Sequence, residues 1–347
     1  MTAAAPALNS LPCNGEPDPS VEARAREIVE GVRSGNRTAL GRAITLIESD
    51  ATKHAPLAEE VVRQILPHSG NSIRVGITGV PGAGKSTFIE ALGCQLCAQG
   101  KRVAVLAVDP SSTLSRGSIL GDKTRMEMLC REESCFIRPS PSSGTLGGVT
   151  RKSRETMLLC EAAGYDVLLV ETVGVGQSEP TVRSMVDFFL VLLIAGGGDE
   201  LQGIKKGIIE LADTILITKA DGSNIPRTES ARVEFARVIH YLTSPTPGWK
   251  PKSLTCSSLD GTGIAEAWQV IEQFCALTQQ SGFFQEHRRR QTLDWMRDML
   301  SQELWHDFTH NPGTVAQWAN VERDVLTGKL SATIAVKQLL NAYTHHD

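Results

Sequence analysis

Apolar positions recur at helical spacing through residues 21–66. Val21, Ala25, Ile28 and Val32 form one stripe, and Leu40, Ile44 and Ile47 a second after the break at Ser34-Gly35-Asn36. A third such stretch runs from Leu57 to Leu66, so two or three helices are expected before residue 70. The pattern then shortens. Ser72–Thr78, Arg102–Val108, Asp166–Val170, Phe188–Ala195 and Thr214–Thr218 are brief, almost continuously apolar runs, with Ser253–Cys256 as a possible sixth. Strands of that kind, separated by helical segments such as Lys85 to about Cys97, predict a parallel sheet covered on both faces. From Ile264 to Leu277, through 286–307 and from Val315 to Tyr343 the chain reads as helix again. Leu293, Met296, Leu300 and Leu304 make one stripe, with Trp295 and Trp305 beside it. Those last helices are amphipathic and lie beyond the final strand, so they must cover the core or meet another chain.

The expected organisation is therefore a loose tail over 1–20, an N-terminal helical extension over 21–70, an α/β core with a mostly parallel sheet over 71–278, and a C-terminal helical region over 279–347. The 347 residues are 41% hydrophobic and 21% charged, ordinary for a soluble protein, and no apolar run is long enough to span a membrane. The first 20 residues carry no basic residue and no long apolar segment, which argues against a targeting peptide and for the cytoplasm. A net charge of −4 gives no reason to expect nucleic acid. The eight cysteines are scattered; Cys94 and Cys97 form a CxxC within an apolar helix and read as small core residues.

One motif decides the chemistry. Gly79-Val80-Pro81-Gly82-Ala83-Gly84-Lys85-Ser86 satisfies GxxxxGK[ST] between a predicted strand and a predicted helix. With Thr78 and Thr87 at its ends it forms a P-loop, whose backbone N–H groups close around phosphate oxygens at a helix N-terminus. Lys85 should reach the β- and γ-phosphates, and Ser86 should hold Mg²⁺. Further oxygen ligands are expected from strand ends on the same rim: Asp109 after the second strand and Glu171 after the third. Glu171 takes the Walker B place, with Glu where Asp is usual, and Gly174 follows three residues later as in a DxxG turn. Asp122, in a polar loop, is a further metal or catalytic candidate.

The base site points to guanine. Thr218-Lys219-Ala220-Asp221 follows the fifth strand in the place of an NKxD motif. Asp221 would accept both N–H groups of the guanine edge, and the stem of Lys219 would lie along the base. Thr218 replaces Asn, which is expected to loosen the tie between this loop and the phosphate loop. Ser257, Ser258 and Leu259 follow the next strand, where backbone N–H groups would meet the guanine O6. GTP is thus the expected substrate and GDP the product. No residue stands out as the glutamine or arginine that accelerates hydrolysis; Gln177 follows the switch-like turn without a defined geometry. Slow intrinsic turnover, raised by a partner or a dimer contact, is the expectation.

Several stretches together resemble the MeaB/ArgK family of methylmalonyl-CoA mutase-associated GTPases: Gly79–Thr87, Asp109–Ser112, Ser118–Met126, Glu171–Glu179 and Leu201–Gly207. The likeness covers about residues 21–345. It implies a chaperone whose GTP hydrolysis gates adenosylcobalamin loading and protects methylmalonyl-CoA mutase or a related acyl-CoA mutase. It also implies a homodimer through the C-terminal helices, and it places Asp109, Asp122 and Glu171 in the magnesium and switch region, with Gly196–Gly207 as a further switch segment. Older naming connects the family with transport of basic amino acids; nothing in this sequence supports a channel. The competing readings are a GTPase delivering nickel or cobalt to a metalloenzyme, for which no spaced Cys/His set is visible, and an ATP-using kinase, which would leave Asp221 without a role.

Overall fold

A computed structural model describes residues 18–108, 126–139, 146–172, 179–196 and 206–344. The described chain forms two compact units, one ending at Gln291 and the other beginning at Thr292.

The first unit opens with three helices, α1 (Pro19–Arg33), α2 (Arg37–Ile47) and α3 (Ala55–Ile65). Asp18 caps α1 by accepting from the Ser20 N–H, with Pro19 in the first turn, and Asn36 caps α2 by accepting from the N–H groups of Thr38 and Ala39. α2 and α3 bury Leu40, Ile44 and Ile47, and Leu57, Val61 and Ile65; α1 buries Ala25, Val29 and Val32, while Val21 and Ile28 of the expected stripe are half-buried.

The sheet follows: β1 (Ile73–Gly79), α4 (Lys85–Ala98), β2 (Val103–Val108), α5 (Glu127–Arg131), β3 (Cys135–Arg138), α6 (Leu146–Ala162), β4 (Val167–Thr172), α7 (Glu179–Arg183), β5 (Phe188–Ile194), α8 (Lys206–Glu210), β6 (Thr214–Thr218), α9 (Ile225–His240), β7 (Lys252–Thr255) and α10 (Ile264–Gln280). The strand order is β3-β2-β4-β1-β5-β6-β7 and every pairing is parallel. Alternate residues serve opposite faces, as the two-residue period of a strand requires. On β5, Phe189, Val191 and Leu193 join the core beneath α1–α3 and α6, while Phe188, Leu190 and Leu192 join the core beneath α4 and α10. Both faces are covered, which is why the strands lack polar alternation. β1 lies at the centre between β4 and β5, so its C-terminal end opens on the rim where an α/β sheet places its ligand.

Six strands lie where the apolar runs predicted them. The seventh, β3, has only four residues and a charged end at Arg138, too little pattern to separate from loop. The long helix α11 (Phe283–His310) spans the boundary of the units, and α12 (Pro312–Leu326) and α13 (Ala332–Thr344) complete the second. There Trp305, Phe308 and Trp318 pack edge-to-face and stacked, and the Tyr343 hydroxyl donates to Asp307 at 2.5 Å.

Candidate active site

The phosphate loop turns because its glycines permit it. A Cβ on Gly79 would lie 2.3 Å from the Leu192 carbonyl oxygen on β5, so no larger residue fits at the end of β1. Gly84, at φ +80°, starts α4 from the left-handed region. No side chain caps α4, which leaves its first-turn N–H groups for an anion.

Lys85 folds back across this loop. Its Nζ donates to the Gly79 carbonyl at 2.8 Å and to the Val80 carbonyl at 3.5 Å. Burial pushes the ammonium below its ordinary range, and the carboxylates of Glu171 and Glu179 act in the opposite direction. The Ser86 hydroxyl donates to Glu171 Oε1 at 3.0 Å. Glu171 is buried, held beside Ile77 of β1 and Ala107 of β2 by the parallel register. Next to it, the Thr172 hydroxyl donates to that of Thr78 at 2.8 Å, joining the ends of β4 and β1. The sequence therefore brings Lys85, Ser86 and Glu171 together at one rim. Asp109 and Asp122 lie outside the described residues, as do Gly174, Gln177 and most of Gly196–Gly207.

The residues expected at the base lie at the ends of β6 and β7. Thr218, buried, donates through Oγ1 to the Ala83 carbonyl at 2.7 Å and to the Leu193 carbonyl at 3.1 Å. The expected loosening of this loop is thus not found: the threonine hydroxyl supplies a bond to the phosphate loop itself. Lys219 adopts φ +59°, uncommon for a residue with a side chain, and stands exposed. Its carbonyl accepts from Asn224 Nδ2 at 2.7 Å, and Ala220 N–H donates to the Cys256 carbonyl at 3.0 Å. Ser257 Oγ donates to Asp221 Oδ2 at 3.0 Å, fixing one carboxylate oxygen. Ser258 is half-buried and Leu259 exposed on the turn that follows. Asp221 and the Ser257–Leu259 loop therefore share one surface, reached through Thr218 from the phosphate loop.

Residues 40–313 match the family described as methylmalonyl Co-A mutase-associated GTPase MeaB. The chain belongs to the MeaB family. A probable GTPase of Mycobacterium tuberculosis is 49% identical over 317 residues, 90% of this chain and 93% of that protein. GTPase ArgK of Escherichia coli is 47% identical over 318 residues, 92% and 96% of the two chains. The mitochondrial methylmalonic aciduria type A homolog of Mus musculus is 45% identical over 323 residues, 90% and 78%. A crystal structure described as a LAO/AO transport system kinase matches with a TM-score of 0.76 and 41% identity, covering 92% of this chain and 97% of that one. This MeaB-family protein is accordingly a P-loop GTPase, an enzyme that binds GTP and GDP and hydrolyses the γ-phosphate.

Three residues escaped the motif reading: Asn224, Glu179 and Thr172, which donates to the already assigned Thr78. Thr172 and Glu179 had a signal, since both lie in the Glu171–Glu179 stretch.

Proposed function

We propose that GTP hydrolysis by this protein gates the loading of adenosylcobalamin into methylmalonyl-CoA mutase, or a closely related acyl-CoA mutase, and protects that enzyme from inactivation. The observation that carries this reading is the match of residues 40–313 to a family described by its association with methylmalonyl-CoA mutase. The likeness to methylmalonic aciduria type A homologs over more than nine-tenths of the chain in two nematodes supports it. The same relationship ranks this reading above delivery of nickel or cobalt.

In this reading the P-loop N–H groups and Lys85 hold the β- and γ-phosphates, and Asp221 accepts the guanine N1–H and N2–H₂ while Ser257 fixes its second oxygen. Lys85 exchanges the Gly79 carbonyl for phosphate oxygens when nucleotide enters. The Ser86 hydroxyl and the Glu171 carboxylate, 3.0 Å apart, are hard oxygen donors of the kind Mg²⁺ prefers. With Asp109 and Asp122 they would hold it, and it would neutralise charge on the phosphate oxygens. The loops at 109–125, 174–179 and 196–207 would report the nucleotide state to the partner.

We also assign self-association to the C-terminal unit and place the protein in the cytoplasm. The C-terminal unit has an apolar cleft of about 490 Å³, lined in part by Leu304, Trp305, Phe308, Val336 and Leu340. Trp305 is 61% exposed and Val336 56%, apolar side chains that a second copy would cover. No helix among the described residues is long and apolar enough to cross a membrane.

Sedimentation of the protein with adenosylcobalamin-dependent methylmalonyl-CoA mutase tests the partner. A complex whose affinity differs between GDP and a non-hydrolysable GTP analogue is the expected result. No complex in either nucleotide state contradicts the mutase assignment and favours the metal-delivery reading.

A further inference from the structure

The last turn of α11 carries two histidines on one face. His306 and His310 stand four residues apart, so one lies above the other along the helix, and both are exposed. Their ring centroids are 4.1 Å apart and the planes are inclined by 33°. Two imidazoles this close can offer nitrogens to a single ion.

The hydrogen bonding of His310 decides which of its nitrogens is available. Nδ1 lies 2.8 Å from the His306 carbonyl oxygen. A carbonyl only accepts, so in the neutral ring Nδ1 carries the proton and Nε2 keeps the lone pair. A metal-bound imidazole is held in the same way: its second nitrogen donates to a carbonyl or carboxylate that fixes tautomer and ring orientation.

The pair stands clear of the apolar cleft. Leu304 and Phe308 line that cleft, and His306 and His310 each follow two positions later, about 200° around the helix. Self-association through the cleft would leave both rings open. The end of α13 is tied to this same turn. The Tyr343 hydroxyl donates to Asp307, and its ring lies 5.4 Å from that of Phe308. α13 ends at Thr344, and the sequence continues His345-His346-Asp347. Two more histidines thus follow in sequence on a helix end anchored beside the pair. Among the described residues no group of three or more His, Cys, Asp or Glu could hold a metal ion. The described share of the ligands is therefore two, and the other places fall to water or to residues beyond Thr344.

We infer that His306 and His310 chelate a divalent first-row transition ion of the kind imidazole favours, Ni²⁺, Cu²⁺ or Zn²⁺, with His310 binding through Nε2. The ion bridges the last turn of α11. Ser86 and Glu171, in the other unit, are oxygen donors and suit Mg²⁺ instead. The inference goes beyond the proposed function and depends neither on GTP nor on the mutase.

Closing the helix end is the rival role for His310, since its Nδ1–H bonds within the last turn. His306→Gln separates the two, because it removes one ring and leaves the backbone carbonyl to which His310 donates. Calorimetric titration of the full-length protein with Ni²⁺, in excess Mg²⁺, should show saturable binding. His306→Gln and His310→Gln should each weaken it by at least about tenfold, the cost of disturbing even an outer contact of a metal site. Ni²⁺ should also raise the thermal unfolding midpoint of wild type and of neither variant, since an ion bound only by the folded chain stabilises it. A cooperative transition without Ni²⁺ certifies that each variant is folded. Wild-type affinity in His306→Gln, with loss in His310→Gln or in a His345→Gln/His346→Gln double variant alone, overturns the inference. Absence of saturable Ni²⁺ binding by the wild-type protein does so as well.

Discussion

Thr218 Oγ1 lies 2.7 Å from the carbonyl oxygen of Ala83, so one hydroxyl joins the loop proposed to read the base to the phosphate loop. The same hydroxyl reaches the Leu193 carbonyl at 3.1 Å, and the residue is buried. Thr218→Val keeps the shape and removes the donor. It should lower stability by about 1–3 kcal/mol, the cost of leaving buried acceptors unpaired. It should also weaken GTP binding, because the two loops lose their direct link. Denaturant unfolding and nucleotide titration check both; unchanged stability and affinity would show that the contact is incidental.

Asp221→Asn tests the guanine edge. Asparagine keeps an acceptor for Ser257 but presents an amide N–H where the carboxylate accepted from the base. GTP affinity should fall by about 10- to 10²-fold, the worth of hydrogen bonds to a charged acceptor. Xanthosine triphosphate, which carries a carbonyl in place of the guanine amino group, should bind better than to wild type. Competition titration with the two nucleotides measures the exchange.

The position of these residues shows what the sequence could and could not reveal. Gly79 to Ser86 was legible because a phosphate loop needs glycine at fixed places, and the 2.3 Å approach of a Gly79 Cβ to Leu192 shows one of the reasons. The strands from β4 to β6 were legible because both faces are buried and the apolar runs are unbroken. Thr218 misled, since its departure from Asn hid the fact that a shorter side chain with one hydroxyl still reaches Ala83. β3 was too short to read. Glu179 could not be assigned from spacing, because only the fold shows its carboxylate buried.

Arg288 holds the start of α11 to the core. It donates to Asp187 Oδ1 at 2.7 Å and Oδ2 at 2.6 Å, and to the carbonyls of Gly70 and Ser72 at 2.6 Å each. Asp187 is 2% exposed. Arg288→Met fills the same volume but strands the carboxylate, which should destabilise the fold by about 3–5 kcal/mol. Urea unfolding measures the loss; a change under about 1 kcal/mol would place the pair with weak surface bridges.

His287 predicts a pH dependence. Burial and, next, the Arg183 guanidinium hold its imidazole below the ordinary value of 6.5, with Asp187 opposing and Arg288 adding to the shift. The native state therefore keeps the ring neutral where the unfolded chain has begun to take a proton. Its contribution is present above the unfolded value and is lost as pH falls below it. The loss of stability between about pH 7.5 and about pH 5.5 should be smaller in His287→Gln than in wild type. Equal slopes in paired denaturation series would contradict this.

The most direct measurement is phosphate release from GTP by the full-length protein, alone and with saturating adenosylcobalamin-dependent methylmalonyl-CoA mutase, with Lys85→Ala as the blank. The account predicts slow release by the protein alone, strong stimulation by the mutase, and neither with the Lys85 variant. Equal release with and without the mutase would contradict a GTPase that serves it.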